Sequence, residues 1–254
     1  MPFAPASHTT MPGYDLKQES ISIVGTADLI IRSLLDKQQF ADPHGEADRM
    51  GISSAAWPMF GLLWPSGAHL AARMALRPVT GERILEIGCG LALASLVAHR
   101  RSADITASDC HPLAAEFLEE NLRLNGLPPM PYLHGHWRVP APERAPSQQA
   151  PGCVVRCDYD LIIGSDLLYE RDVNGDLAAF IGRHGAPSCE VWIVDPDRGN
   201  RPAFTRHMAA QGFTMRQESL DHPVRPDAPL YKGRMLIYTR AARPVCQQNP
   251  DATR

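Results

Sequence analysis

The stretch Arg83-Ile84-Leu85-Glu86-Ile87-Gly88-Cys89-Gly90-Leu91-Ala92 constrains the fold more than any other part of the chain. An apolar run enters a Gly-x-Gly turn, and a helical pattern follows at once. Nineteen residues beyond Gly90, a second such run, Ile105-Thr106-Ala107-Ser108, ends in Asp109. A glycine turn admits a ligand to the backbone, and a carboxylate after the next strand can take ribose hydroxyls. Together they are how an α/β sheet holds an adenosine-containing ligand.

The alternation continues. Strands are predicted over 83–87, 105–109, 131–134, 160–164 and 190–194. Helices are predicted over 92–100, from Pro112 to Asn125-Gly126, over 173–183 and over 201–211. Ser66 is placed to cap an earlier helix carrying Leu70, Met74 and Ala75. The runs 213–217 and 230–238 have no helix between them and predict an antiparallel pair. The fold class is therefore α/β: a Rossmann-like, doubly wound seven-stranded sheet, mostly parallel with an antiparallel last strand, plus an N-terminal extension. Residues 1–50 read as an arm, loose to about residue 18, then a hairpin or lid from 20–24 and 29–35, the second of which also fits a helix. Residues 51–240 form the main domain, with a Pro- and Gln-rich surface loop at 139–152, and 241–254 form a tail.

Composition removes several classes. The net charge is -3, from 25 Lys and Arg against 28 Asp and Glu, so no overall basic field draws in nucleic acid. No apolar run approaches the roughly 20 residues of a membrane span, and Met1-Pro2-Phe3-Ala4-Pro5 has no signal-peptide pattern. Of the six cysteines only Cys153 and Cys157 are close in sequence, and no second pair completes a zinc site. Reduced thiols in a cytoplasmic protein are the expectation, and no metal is expected; the histidines of His134-Gly135-His136 read as a solvated loop.

The turn itself narrows the ligand. Leu93 stands where a dinucleotide fingerprint has its third glycine, and the turn lacks the Lys and Ser/Thr of a phosphate-binding loop. Glu86, two residues before Gly88, would repel a diphosphate but suits a cation. S-adenosylmethionine meets these terms: it carries an ammonium and a sulfonium, offers a ribose to Asp109 and has no phosphate. An oxidoreductase using a nicotinamide cofactor is disfavoured by the same two residues.

With these residues in view, the chain resembles the seven-strand S-adenosylmethionine-dependent methyltransferases. More narrowly, it resembles the protein-lysine methyltransferase-like family often called methyltransferase 16 and its bacterial relatives. The resemblance covers about residues 20–240. It rests on Leu63-Trp64-Pro65-Ser66-Gly67, Leu85 to Leu91, Ala107-Ser108-Asp109 and Ser165-Asp166-Leu167-Leu168-Tyr169, the last matching an Asp-x-x-Tyr signature after the fourth strand. It implies a cofactor-binding set of Trp64, Glu86, Gly88, Cys89, Gly90, Asp109, Trp137 and Ser165, with Trp137 on the adenine side. It implies catalytic roles for Asp166 and Tyr169, facing the methyl-accepting nitrogen. Two departures stand out: Ala92 replaces a third glycine of the loop, and His136 stands where relatives often have Asp. The activity implied is methylation of a lysine in a protein partner, by a monomer. A small-molecule amine acceptor and a non-catalytic cofactor-binding module remain alternatives. The Asn/Asp-Pro-Pro-aromatic motif of many nucleic-acid methyltransferases is absent after strand four.

Overall fold

The structure of the protein, a computed structural model, describes residues 7–11, 13–137, 159–169, 173–223 and 230–242. Three antiparallel strands come first: β1 (Ser7–Met11), β2 (Tyr14–Ile21) and β3 (Leu29–Leu34). A short helix α1 (Glu46–Arg49), a 3-10 turn over Trp57–Gly61 and helix α2 (Pro65–Leu76) lead into the main sheet. There the chain runs β4 (Arg83–Ile87), α3 (Leu93–Arg100), β5 (Asp104–Asp109), α4 (Ala114–Leu124), β6 (Tyr132–His134) and β7 (Tyr159–Ser165). It continues through α5 (Asp176–His184), β8 (Gly185–Asp195), α6 (Arg201–Ala210), β9 (Thr214–Ser219) and β10 (Arg234–Arg240).

The seven strands lie in the order β6-β5-β4-β7-β8-β10-β9. β10 runs antiparallel to both its neighbours, and the other pairings are parallel. The α/β fold and its antiparallel late strand are as expected. From β4 the chain steps outward to β5 and β6, then crosses back to β7 on the other side. The order therefore reverses between β4 and β7, and a crevice opens beyond their carboxyl ends.

The period-two pleat divides β4 between two cores. Ile84 packs with α2, α3 and α4, while Leu85 and Ile87 pack with α5 and α6 residues such as Phe180, Ile181, Phe204 and Met208. Each fully buried aliphatic side chain of this kind contributes roughly 1.5–3 kcal/mol. Parity also sends Glu86 to the α3 side, and that decides its environment.

The loose arm expected to about residue 18 is instead largely strand. Leu16 is the buried residue of β2, flanked by half-buried Asp15 and Lys17. Residues 29–35 form strand rather than helix. The free edge of β3 is paired by side chains from α4: Asn121 Oδ1 accepts the Arg32 N–H at 2.7 Å, and Asn125 Oδ1 accepts the Ile30 N–H at 2.9 Å. The amides return bonds to the same two residues' carbonyls. Ser66 does not cap α2. Trp64 holds that position, and Ser66 is the second residue of the helix, its hydroxyl 2.8 Å from the Tyr231 hydroxyl. β8 begins five residues before the expected strand, because a register shift after Tyr159 lets Gly185 pair early. The 139–152 loop, Cys153, Cys157, Cys246 and most of the 241–254 tail lie outside the described residues.

Candidate active site

Gly88, Cys89 and Gly90 form a left-handed turn immediately after β4. Gly88 has φ of +57° and Gly90 +51°, a region that costs an L side chain roughly 1–2 kcal/mol. At Gly90 there is also no room, since a Cβ would stand 2.8 Å from the backbone oxygen of Phe60. Ala92 completes the turn and is itself left-handed, at φ 57°. The expected slight cost of replacing a glycine by alanine is therefore conformational: the methyl fits, being fully buried, but the backbone is one that glycine prefers.

Two carboxylates hold this turn. Asp109, at the end of β5, accepts the Gly90 N–H at 2.8 Å on one oxygen and the His111 N–H at 2.8 Å on the other. Each oxygen keeps a further lone pair. Burial raises the Asp109 pKa, and these backbone donors lower it. Glu86, almost wholly buried, accepts the Ser95 N–H at 2.8 Å and the Ser95 hydroxyl on the same oxygen, so it also caps α3. Desolvation pushes its pKa up to about 7 despite those bonds.

These residues line one cavity of about 540 Å³ that fills the crevice beyond β4 and β7. All ten residues singled out from the sequence line it: Trp64, Glu86, Gly88, Cys89, Gly90, Asp109, Trp137, Ser165, Asp166 and Tyr169. Glu86 and Asp109 belong to the glycine-turn side. Trp137 reaches the same side, where a Cβ on Gly88 would meet its ring at 3.6 Å. Asp166 follows β7 with φ of +56°, and Tyr169 ends a 3-10 turn over Leu167–Tyr169 with its side chain partly exposed. Burial raises the Asp166 pKa, partly offset by a hydrogen bond from Ser66 and the charge of Arg198. Of the segment 20–50 that could form a lid, only Met50 lines the cavity, and Ile52, Ser53, Met59, Phe60 and Leu62 continue that wall.

The site also contains residues beyond those ten. Phe60 is buried in the core and lines the cavity as well. His111 stacks on it with ring centroids 3.6 Å apart. His111 Nδ1 accepts the Leu113 N–H, so its proton sits on Nε2, a buried atom with no hydrogen-bond partner among the described residues. Burial holds its pKa down to about 3, and the ring is neutral. The spacing Asp109-x-His111-Pro112 was its only sequence signal. Arg198, on the loop after β8, is the one Lys or Arg among the described lining residues.

The cavity suits a sulfonium nucleoside. Gly88 and Gly90 present backbone with no side chain, two carboxylates stand beside them, and among the described residues the glycine side has no Lys or Arg for a diphosphate.

Residues 61–202 match the lysine methyltransferase family. The chain is 27% identical over 175 residues to the electron transfer flavoprotein beta subunit lysine methyltransferase of Rattus norvegicus, covering 67% of this chain and 62% of that protein. It is 25% identical over 188 residues to protein N-lysine methyltransferase METTL21A of Mus musculus, covering 72% of this chain and 78% of that protein. The chain thus spans less than two thirds of the rat protein's length. A solved methyltransferase from Pyrococcus furiosus shares the fold with a TM-score of 0.50 at 17% identity, over 70% of this chain and 83% of that one.

Proposed function

The chain belongs to the lysine methyltransferase family, and on that premise we propose that it methylates a lysine side chain of a protein substrate, with S-adenosylmethionine as methyl donor. One observation carries the reading. The glycine turn with Glu86 and Asp109, and the Asp166–Tyr169 pair, line the same cavity. Cofactor and acceptor nitrogen can therefore meet in it.

Bound S-adenosylmethionine supplies an electrophilic methyl group on a positively charged sulfur. Gly88 and Gly90 bring backbone against its methionine part, and Glu86 balances the ammonium, directly or through water. Asp109 accepts ribose hydroxyls on its remaining lone pairs while it holds Gly90. Trp137 lies on the adenine side, and Trp64, Cys89 and Ser165 complete the wall.

The acceptor must shed its proton and present a free lone pair before it attacks. A lysine of pKa near 10.4 is neutral about one part in a thousand near pH 7.4, so roughly 4 kcal/mol is needed to present it deprotonated. Burial in the cavity lowers the amine pKa by desolvation. Asp166 cannot lower it, because a nearby carboxylate favours the charged amine. Its role is to receive the ammonium, orient the nitrogen, balance charge and pass the amine proton to solvent, and Tyr169 shapes the channel at the rim. Most of the acceleration comes from positioning.

Under the same reading the enzyme works in the cytoplasm as a monomer, on protein rather than nucleic acid. The modest negative charge supports this, and among the described residues no helix is long and apolar enough to cross a membrane. The test is incubation of the purified protein with radiolabelled S-adenosylmethionine and lysate of its own host. A labelled protein band, with label recovered in methyllysine, supports the proposal. Label confined to small molecules transfers the activity to a free amine, and no label overturns it.

A further inference from the structure

Asp166 does not stand alone. The guanidinium of Arg198 lies 3.2 Å from Asp166 Oδ1, with the Asp166 side chain 12% exposed and the Arg198 side chain 42% exposed. That oxygen is buried and has no hydrogen bond of good geometry among the described residues. The pair is thus an ion pair without a directed bond, unlike the bidentate forks that make arginine contacts durable. Arg198 also approaches the face of Trp64, 6.0 Å from the ring centroid, at the limit of a cation–π contact.

The backbone beside Arg198 is built to turn. Its neighbours Asp197 and Gly199 are both left-handed, with φ of +62° and +90°, and no regular element covers residues 196–200. Asp197 is held by its own N–H to Asp195 Oδ2 at 3.0 Å, and Asn200 by its side chain to the Leu168 carbonyl at 2.8 Å. The loop is thus pinned on either side of Arg198, whose long side chain projects between the pins. A swing of that side chain needs no change in the sheet.

A buried carboxylate left without a counter-charge is costly. Before substrate binds, the only Lys or Arg among the described lining residues supplies that charge. A lysine ammonium is a cation of the same sign, and it must reach the same oxygen if Asp166 is to orient it. We propose that Arg198 is the resident cation of the acceptor site, held on Asp166 until the incoming substrate ammonium displaces it. This rests on the reading that Asp166 faces the acceptor nitrogen. Exchange keeps Asp166 compensated throughout. It also selects for a cationic amine, since a neutral acceptor cannot displace the guanidinium without stranding the carboxylate.

The test uses n-butylammonium as the probe and n-butanol as its neutral counterpart, titrated into the full chain without cofactor at pH 8. Binding is followed by tryptophan fluorescence and by thermal unfolding. Arg198→Ala is expected to bind n-butylammonium on the order of tenfold more tightly than wild type, since a competing occupant no longer fills the site most of the time. The amine should restore thermal stability that the variant has lost, and n-butanol should not. Arg198→Lys keeps a resident cation and should stay near wild type. Asp166→Asn placed on Arg198→Ala should abolish the gain. Equal or weaker amine binding in Arg198→Ala overturns the proposal. So does a gain in Arg198→Lys as large as in Arg198→Ala, because the guanidinium would then have filled space rather than balanced charge. A parallel titration with S-adenosylhomocysteine reads the methyltransferase proposal separately: failure of wild type to bind it removes that proposal and leaves the amine result standing.

Discussion

The carboxylate of Asp109 accepts the N–H of Gly90 at 2.8 Å, tying the end of β5 to the turn that follows β4. This bond makes Asp109 a support of the turn as well as a candidate ribose acceptor. Asp109→Asn can place its one carbonyl oxygen on either Gly90 or His111, and turns an N–H₂ donor toward the other N–H. S-adenosylhomocysteine affinity should fall by about 10- to 100-fold, as for loss of a charge-assisted bond of roughly 1.5–3 kcal/mol. Calorimetric titration of the variant checks this, and unchanged affinity would remove Asp109 from the site.

Gly90 and Gly88 share a left-handed backbone but differ in what surrounds them. A Cβ on Gly90 meets the Phe60 backbone oxygen at 2.8 Å, whereas one on Gly88 meets the end of the Leu167 side chain at 2.6 Å. A side chain can rotate away, and a backbone carbonyl cannot. Gly88→Ala should cost about 1–2 kcal/mol of stability, the left-handed penalty alone, and Gly90→Ala at least 1 kcal/mol more. Urea unfolding of the two variants would refute this ordering if Gly88→Ala proved the less stable.

Glu86 makes stability depend on pH in a direction opposite to that of a salt-bridged acid. Its pKa is raised from 4.5 to about 7 by burial. Between those values the folded state holds a proton that the unfolded chain has lost, so the contribution of Glu86 to stability falls as pH rises. Below 4.5 there is no difference, and above 7 the penalty levels off at on the order of 3 kcal/mol. Glu86→Gln lacks this slope. Relative to wild type it should gain stability from pH 5 to pH 8, measured by denaturant unfolding at each pH, while losing affinity for the cofactor ammonium. A stability difference that stays constant with pH would contradict the assignment.

Asp166→Ala should lower kcat/KM by about 100-fold or more, the scale of a lost positioning contact, with S-adenosylhomocysteine affinity within about threefold of wild type. A variant that methylates at the wild-type rate would end the catalytic role of Asp166.

The asparagines of α4 offer a test away from the cavity. Asn121 is fully buried and bonds both the N–H and the carbonyl of Arg32 on the free edge of β3. Asn121→Leu leaves that buried N–H without a partner and should cost about 2–3 kcal/mol, read by thermal unfolding. Asp, which keeps the acceptor, should recover part of it.

Sequence by itself determined the sheet, because strand and helix alternate with distinct periods, and Gly88, Asp109 and Asp166 fall at or just after strand ends. It also determined the chemistry of the turn, since glycine, Glu86 and Asp109 act through local backbone and through parity along β4 and β5. Only the tertiary structure decided the rest. The N-terminal segment looked like a loose arm until α4 was present to pair the edge of β3 with Asn121 and Asn125. His111 gave little sign of itself, and burial against Phe60 and Trp57 makes it a neutral ring; the Asp195-Pro196-Asp197-Arg198 run after the fifth strand could be read as a substrate-entrance lining or a solvated turn, but not the pairing of Arg198 with Asp166 across 32 residues of chain. The physical reason is range. Periodicity and turn chemistry act between near neighbours and are written in order along the chain, whereas burial, stacking and ion pairing depend on which distant segments the fold brings within a few ångströms.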